Sequence, residues 1–288
     1  NKMLWALYAL LSGFFWATAD VFTKKIHDAD NHILILSRFL FAAPMVLLLL
    51  FFIPIPDLDI NFWIVLIIAI PFEVAAWIFY IKAIRNSHLS LVAPFLALTP
   101  VFLIFTSFVI LNELPTIIGF FGILLVVIGT YTLNLREKSK GVLGPFRFIF
   151  NEKGCLHMIT AAFLFSITSA IGKILVLKSS PLFISAIYLP SVVVPLLIIV
   201  IFTSRKSFGQ LKSNFNNFFF TGLFFGLMVM TTALALPLAI VPYIISIKRT
   251  SSIFGVLYGY FIFKEEYIKE RLVGAVIMLV GAGLIILF

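Results

Sequence analysis

The sequence predicts an all-α membrane protein of ten transmembrane helices arranged as two inverted five-helix repeats. Three observations predict this. Apolar runs of about 20 residues, the length that crosses a bilayer as a helix, recur along the whole chain. A pattern of one glutamate and two glycines occurs twice at the same spacing. The loop cations fall almost entirely on one side of the predicted topology.

The first observation is compositional. Of 288 residues, 62% are hydrophobic, 16% aromatic and 11% charged, and the mean hydropathy is +1.16. A water-soluble domain carries about 25% charged residues, and most of these segments have no polar face with which to meet water. The net charge of +9 does not point to nucleic acid, because the basic residues lie between apolar runs and form no patch of their own. With one cysteine, Cys155, no internal disulfide can form, and no Cys/His cluster has metal-ligand spacing, so neither metal nor cofactor is expected. His27, His32, His88 and His157 stand near segment ends and are read as interfacial. The first apolar run starts at once with no small-residue cleavage site, and is read as a retained helix.

The ten segments follow in order. The first, 3–23, closes on Lys24 and Lys25; 32–53 and 61–84 flank a connection without a cation; 88–111 and 115–134 complete a first half. The longest polar interruption, "REKSKGVLGPFRFIFNEKG" at 136–154, divides the chain. The second half holds 154–177, 181–203, 215–238, 240–263 and 268–288, and the turn around Pro237 and Pro242 is tight enough to require a helical hairpin. The expected organisation is a first repeat at 1–135, a basic connecting loop at 136–153 and a second repeat at 154–288.

The second observation is the internal likeness. Glu113 stands nine residues before Gly122 and sixteen before Gly129; Glu265 stands nine before Gly274 and sixteen before Gly281. The first segments of the halves also match, "FFWATADVFTKK" against "LFSITSAIGKIL", with Thr18 opposite Thr168. A carboxylate at a helix start is placed near the positive end of the helix. Two glycines one heptad apart let another helix approach closely. Because five is odd, a duplicated five-helix unit enters the membrane from the opposite side.

The third observation orients the chain. Fifteen lysines and arginines, from Lys24 to Arg271, fall on one side, against Lys2 and Lys178 on the other. Positive loops mark the cytoplasmic face. The expectation is a multi-pass protein of the inner (plasma) membrane with basic loops cytoplasmic and both termini outside.

The ordered set of motifs resembles the drug/metabolite transporter superfamily, EamA-type, over essentially the whole chain. Its carriers are the two Glu–Gly–Gly elements, "SGFFWATADVFTKK" of the first segment, "SRFLFAA" of the second with Arg38, and "VAPFLALTP" of the fourth. The resemblance implies helices 1–4 and 6–9 around a central cavity, helices 5 and 10 peripheral, and export or exchange of small metabolites by alternating access. A narrower resemblance lies in "IKRTSS": Lys248 and Arg249 are similar to the Lys-Arg pair by which triose-phosphate and nucleotide-sugar translocators read a phosphate.

The charges inside apolar runs are the candidate site. Lys248 and Arg249 are the only charges between Val241 and Phe263, and a cation at mid-bilayer costs about 2.5–3.5 kcal/mol. Either they snorkel or pair with a neighbouring helix, or they face a water-filled cavity; adjacent residues point about 100° apart, so their roles differ. Arg offers a planar fork to carboxylate or phosphate, Lys a point charge. Tyr243, Ser252, Trp16 and Arg38 join them as candidate substrate-binding residues. Asp20 and Lys24 have i, i+4 spacing for an ion pair. Arg38 is an anchor or an ion-pair partner, and Lys173 is expected to snorkel. Glu73 lies mid-segment: a salt bridge, proton coupling and binding of a substrate amine all fit, since a lone carboxylate there must pair or take a proton. Gly222/Gly226 and Gly255/Gly259 are expected to serve helix packing within the monomer.

The expected function is a secondary transporter, exporter or exchanger, of a small anionic or zwitterionic metabolite, with the bilayer and the substrate as partners and a monomer or homodimer as assembly. The alternatives are a polyprenyl-phosphate or lipid flippase and a proton-coupled exporter of cationic drugs. No nucleophile–base pair or acidic metal site argues for an enzyme.

Overall fold

The computed structural model describes residues 3–26, 29–86, 95–134, 153–264 and 268–287, and among them there are helices and turns but no strand. In order these are α1 (Leu4–Lys24), α2 (Asn31–Leu48) with a 3-10 turn at Leu49–Phe51, α3 (Ile60–Asn86), α4 (Thr99–Leu111), α5 (Ile117–Asn134), α6 (Lys153–Leu177), α7 (Pro181–Thr203), α8 (Phe215–Ala235), α9 (Val241–Lys248), α10 (Ser251–Phe261) and α11 (Ile268–Leu287). Short helical turns at 205–213 join α7 to α8. Local chemistry sets the starts. Asp30 caps α2 through the His32 amide, Ser180 caps α7 ahead of Pro181, and Asp59 accepts from the Phe62 amide at 2.8 Å.

Six helices are long and apolar enough to cross a membrane: α1, α2 with its turn, α3, α6, α7 and α8. Helices α4, α5 and α11 are apolar but shorter within the described residues. The predicted segment 240–263 is not one helix. It divides at Arg249–Thr250, where the Thr250, Ser252 and Ile253 amides bond to carbonyls three residues back and the Thr250 hydroxyl takes the Ile247 carbonyl. Side-chain competition for a carbonyl tightens and bends a helix at such a point. The connecting loop, apart from Lys153, lies outside the described residues, as do Glu265, His27, His88 and the start of the fourth segment.

The outside of the bundle is apolar. Phe52, Phe202, Ile117 and Phe261 are each more than 70% exposed, a surface suited to hydrocarbon rather than water.

The most extensive helix pairings join the two halves of the chain: α1 on α8, α3 on α6, α2 on α7, α5 on α11 and α2 on α8. Exchanging the halves turns the first pairing into the second and leaves the third and fourth unchanged, whereas α2 on α8 has only a much smaller counterpart in α3 on α7. The α5–α11 contact is made by the repeated glycines. A Cβ on Gly122 would stand 2.9 Å from the Gly281 carbonyl oxygen, and one on Gly129 2.7 Å from that of Gly274. Ascending α5 thus meets descending α11, so the two copies of the motif pack antiparallel. The repeat extends to the backbone just ahead of each glutamate. Asn112 and Lys264, at matching positions, have φ of 56° and 52°, left-handed values uncommon for residues other than glycine.

Gly222 and Gly226 let α8 approach α2 at Phe41, Ala42 and Met45, but Gly255 faces open space, so the expected packing role holds for the first pair and not for Gly255.

Candidate functional site

A cavity of about 160 Å³ lies between the halves. The first half contributes Trp16, Phe39, Glu73, Trp77 and Thr99; the second contributes Thr168, Ser185, Tyr188, Thr232, Lys248 and Arg249, among others. Its charged lining residues, among those described, are Glu73, Lys248 and Arg249.

The break between α9 and α10 positions the two cations. Lys248 is the last residue of α9 and Arg249 follows it. Lys248 Nζ donates to Thr232 Oγ1 at 3.2 Å and lies 4.9 Å from the Trp16 ring centre. Arg249 Nη2 donates to Thr99 Oγ1 at 2.8 Å, and its Cζ is 5.9 Å from the same ring. The indole therefore offers its π-face to both cations. Arg249 Nε is buried and has no hydrogen-bond partner, at a cost of about 1–3 kcal/mol for such a donor. Neither cation has a carboxylate within ion-pairing distance among the described residues.

The opposite wall carries Glu73 on α3, two residues past the intrahelical Pro71. Trp77 Nε1 donates to Glu73 Oε1 at 3.0 Å, one helical turn on. Thr168 of α6 and Tyr188 of α7 line the cavity with this carboxylate, and the Lys248 charge attracts it across the cavity. Among the described residues no cation is ion-paired with Glu73. The neutral indole N–H of Trp77 holds it.

The other intramembrane cations are arranged differently. Arg38 donates to Asp20 Oδ1 and to Thr23 Oγ1, and its guanidinium lies over the Trp77 ring, away from the cavity lining. Asp20 thus goes to Arg38, not to Lys24 as its spacing suggested: the buried guanidinium on α2 needs a counter-charge, while Lys24 Nζ lies over the Phe263 ring. Lys173 does not snorkel. It donates to Glu113 and to the Ala239 carbonyl. Glu113 also accepts from the Ser107 hydroxyl at 3.1 Å and from the Val241 amide at 3.0 Å. The expectation that Glu113 sits at the start of its own helix is corrected: it serves the first amide of α9, where the same attraction of a carboxylate for unpaired helical N–H groups operates between elements.

Of the residues singled out in the sequence, Lys248, Arg249, Trp16 and Glu73 meet in the cavity. Arg38, Tyr243 and Ser252 do not line it. The Tyr243 hydroxyl accepts from the Thr116 amide at 2.9 Å and its ring stacks on Trp5; the Ser252 amide donates to the Arg249 carbonyl. The sequence reading missed Thr99, Thr232 and Tyr188, and gave Thr168 no role beyond its match with Thr18. The two threonines diverge: Thr18 bonds to the Tyr258 hydroxyl at 2.9 Å, whereas Thr168 lines the cavity.

Comparison with known proteins agrees with this architecture. One solved crystal structure superposes with a TM-score of 0.81 over 99% of this chain and 96% of that chain at 13% sequence identity, a likeness of fold. No curated protein matches the sequence. The model of the EamA-like transporter family matches residues 3–135 and again residues 152–287, one match to each half. The chain belongs to the EamA-like transporter family.

Proposed function

We propose that this protein is a secondary transporter, an exporter or exchanger, of a small anionic or zwitterionic metabolite, and that Lys248 and Arg249 bind the substrate's anionic group. One contrast supports this reading. Arg38 and Lys173, also inside apolar helices, each have a carboxylate partner, whereas Lys248 and Arg249 have none among the described residues and line the cavity instead. Cations in hydrocarbon without a counter-charge are costly; an anionic ligand offsets that cost.

The mechanism that fits is alternating access. Ten spans form two inverted five-helix units, and one unit rocks against the other around the cavity. The antiparallel α5–α11 contact and the α1–α8 and α3–α6 pairings supply the symmetry that such motion needs. The basic loops face the cytoplasm across the plasma membrane.

The test is a melting screen of purified protein against a metabolite panel. Anionic compounds should raise the melting temperature, and Lys248→Ala or Arg249→Ala should abolish the rise. Stabilisation by cationic amphiphiles alone, lost in Glu73→Gln, would favour the cationic-drug exporter instead.

A further inference from the structure

We infer that the cavity selects a net monoanion that bears one ammonium group and two anionic charges, as an acidic aminodicarboxylate does. This rests on the reading of the cavity as the transport site and narrows its substrate.

The charge count comes first. Two cations, Lys248 and Arg249, and one carboxylate, Glu73, are the charged lining residues among those described, leaving a balance of one positive charge. A ligand that leaves no wall charge unmatched brings two negative charges and one positive one. Succinate would set its second carboxylate against the pair but leave Glu73 facing only negative charge. A neutral amino acid would satisfy Glu73 and one cation and leave the other cation unmatched.

Geometry comes second. The two cations are anchored by hydroxyls on different helices, Lys248 by Thr232 on α8 and Arg249 by Thr99 on α4. They therefore present two points of positive charge rather than one fork. Among the described residues Lys248 Nζ has a single hydrogen bond and Arg249 Nε has no acceptor, so both keep donors for ligand oxygens.

The third observation concerns Glu73. An indole N–H can only donate, so the carboxylate oxygen facing Trp77 accepts. The hydroxyl-bearing Thr168 and Tyr188 line the cavity with it. Among the described residues no protein cation is ion-paired with this carboxyl group. A ligand ammonium group is the counter-charge that this wall lacks.

The experiment uses the purified full-length protein in detergent at pH 7, melted with L-glutamate, L-aspartate, phosphoethanolamine, succinate or L-alanine at equal concentration. Glutamate or aspartate should bind at least about tenfold more tightly than succinate and alanine. Stabilisation by phosphoethanolamine at that strength, with the amino acids weaker, keeps the charge pattern but assigns the two negative charges to one phosphate. Glu73→Gln should lower affinity for the ammonium-bearing anion about tenfold and leave succinate binding in place, which also shows that the variant is folded. Succinate equal to glutamate in the unaltered protein overturns the ammonium site while the anion-transport reading stands. Alanine equal to glutamate overturns the second anionic contact. No stabilisation by any anion overturns both this inference and the reading beneath it.

Discussion

Gly13 of α1 lies against the main chain of Lys248. A Cβ at position 13 would stand 2.9 Å from the Lys248 carbonyl oxygen and 3.2 Å from the Ser251 amide nitrogen. The broken turn that carries the two cavity cations is thus seated on a helix of the other half, and only a residue without a side chain permits that approach. Gly13→Ala should displace the turn. The helical preference of alanine returns up to about 1 kcal/mol, while overpacking against backbone costs about 1–3, so the loss of stability should be small. The loss of function should not be. Ligand-induced stabilisation and uptake into liposomes should fall about tenfold or more, because the positions of both cations change together. Gly255→Ala on α10, where nothing lies within 4 Å, is the control and should leave both readouts unchanged. Normal uptake by Gly13→Ala would remove the positioning role.

The Lys173–Glu113 pair ties α6 to the loop ahead of α5, and through the Val241 amide and Ala239 carbonyl to the start of α9. Their side chains are 10% and 15% exposed. Removing one partner strands the other, which costs about 3–5 kcal/mol for a buried pair. Glu113→Ala and Lys173→Met should each melt well below the unaltered protein. The double variant should be less damaged than the sum of the two, because the second substitution removes a charge already stranded. Strict additivity in a melting cycle would show that the pair is not coupled.

Outside the spanning helices, Asp59 gives a pH signature. The Asn61 side chain, then Lys178, then the Phe62 amide hold its carboxyl below the ordinary value of 3.8, at about 2. A carboxyl depressed in the folded state favours folding above its unfolded value, and that contribution is lost as pH falls through the folded one. The window is therefore between about pH 3.8 and 2. Asp59 is exposed, so the effect is modest and screened by salt. The difference in melting temperature between the unaltered protein and Asp59→Asn should shrink across that window and be constant from pH 5 to 7. A difference that grows on acidification would contradict the assignment.

The sequence carried more of the fold than of the site, for a physical reason. Helix-length apolar runs and repeated glycines are local patterns, and lipid demands them wherever a chain crosses. The spacing of Gly122, Gly129, Gly274 and Gly281 marked a close helix approach, and the structure shows the partners to be α5 and α11. The break after Lys248 was not legible, since it arises from the Thr250 hydroxyl competing for the Ile247 carbonyl and from the fit against Gly13. Partner choice was less legible still. Asp20 had Lys24 one turn away in sequence yet meets Arg38 from another helix. Lys173 had an expected route to the interface, but Glu113 comes from sixty residues earlier. The hydroxyls that line the cavity with Glu73 come from α6 and α7, and nothing in the type or spacing of Thr168 and Tyr188 marks them before the helices are assembled.

The glycines at the α5–α11 contact differ in what surrounds them, and that difference is testable. A Cβ on Gly274 would stand 2.5 Å from the Leu133 amide nitrogen and 2.7 Å from the Gly129 carbonyl oxygen; both are backbone atoms of a packed helix and cannot turn aside. A Cβ on Gly129 would meet the Met278 amide at 2.6 Å and the Gly274 carbonyl at 2.7 Å. Gly283, on the same helix as Gly274, has nothing within 4 Å. Small residues are what allow two helices to approach this closely in lipid, where packing rather than the hydrophobic effect drives association. Gly274→Ala and Gly129→Ala should therefore force α5 and α11 apart and lower the melting temperature markedly, the equivalent of about 1–3 kcal/mol or more. Gly283→Ala should be neutral or stabilise by up to about 1 kcal/mol, the ordinary gain of alanine over glycine in a helix. Because Gly129 and Gly274 meet each other's carbonyls, the double alanine variant should be worse than either single one but less than additive, since the first substitution already opens the gap. Equal tolerance at positions 274 and 283 would mean that the helices do not meet along the repeated glycines.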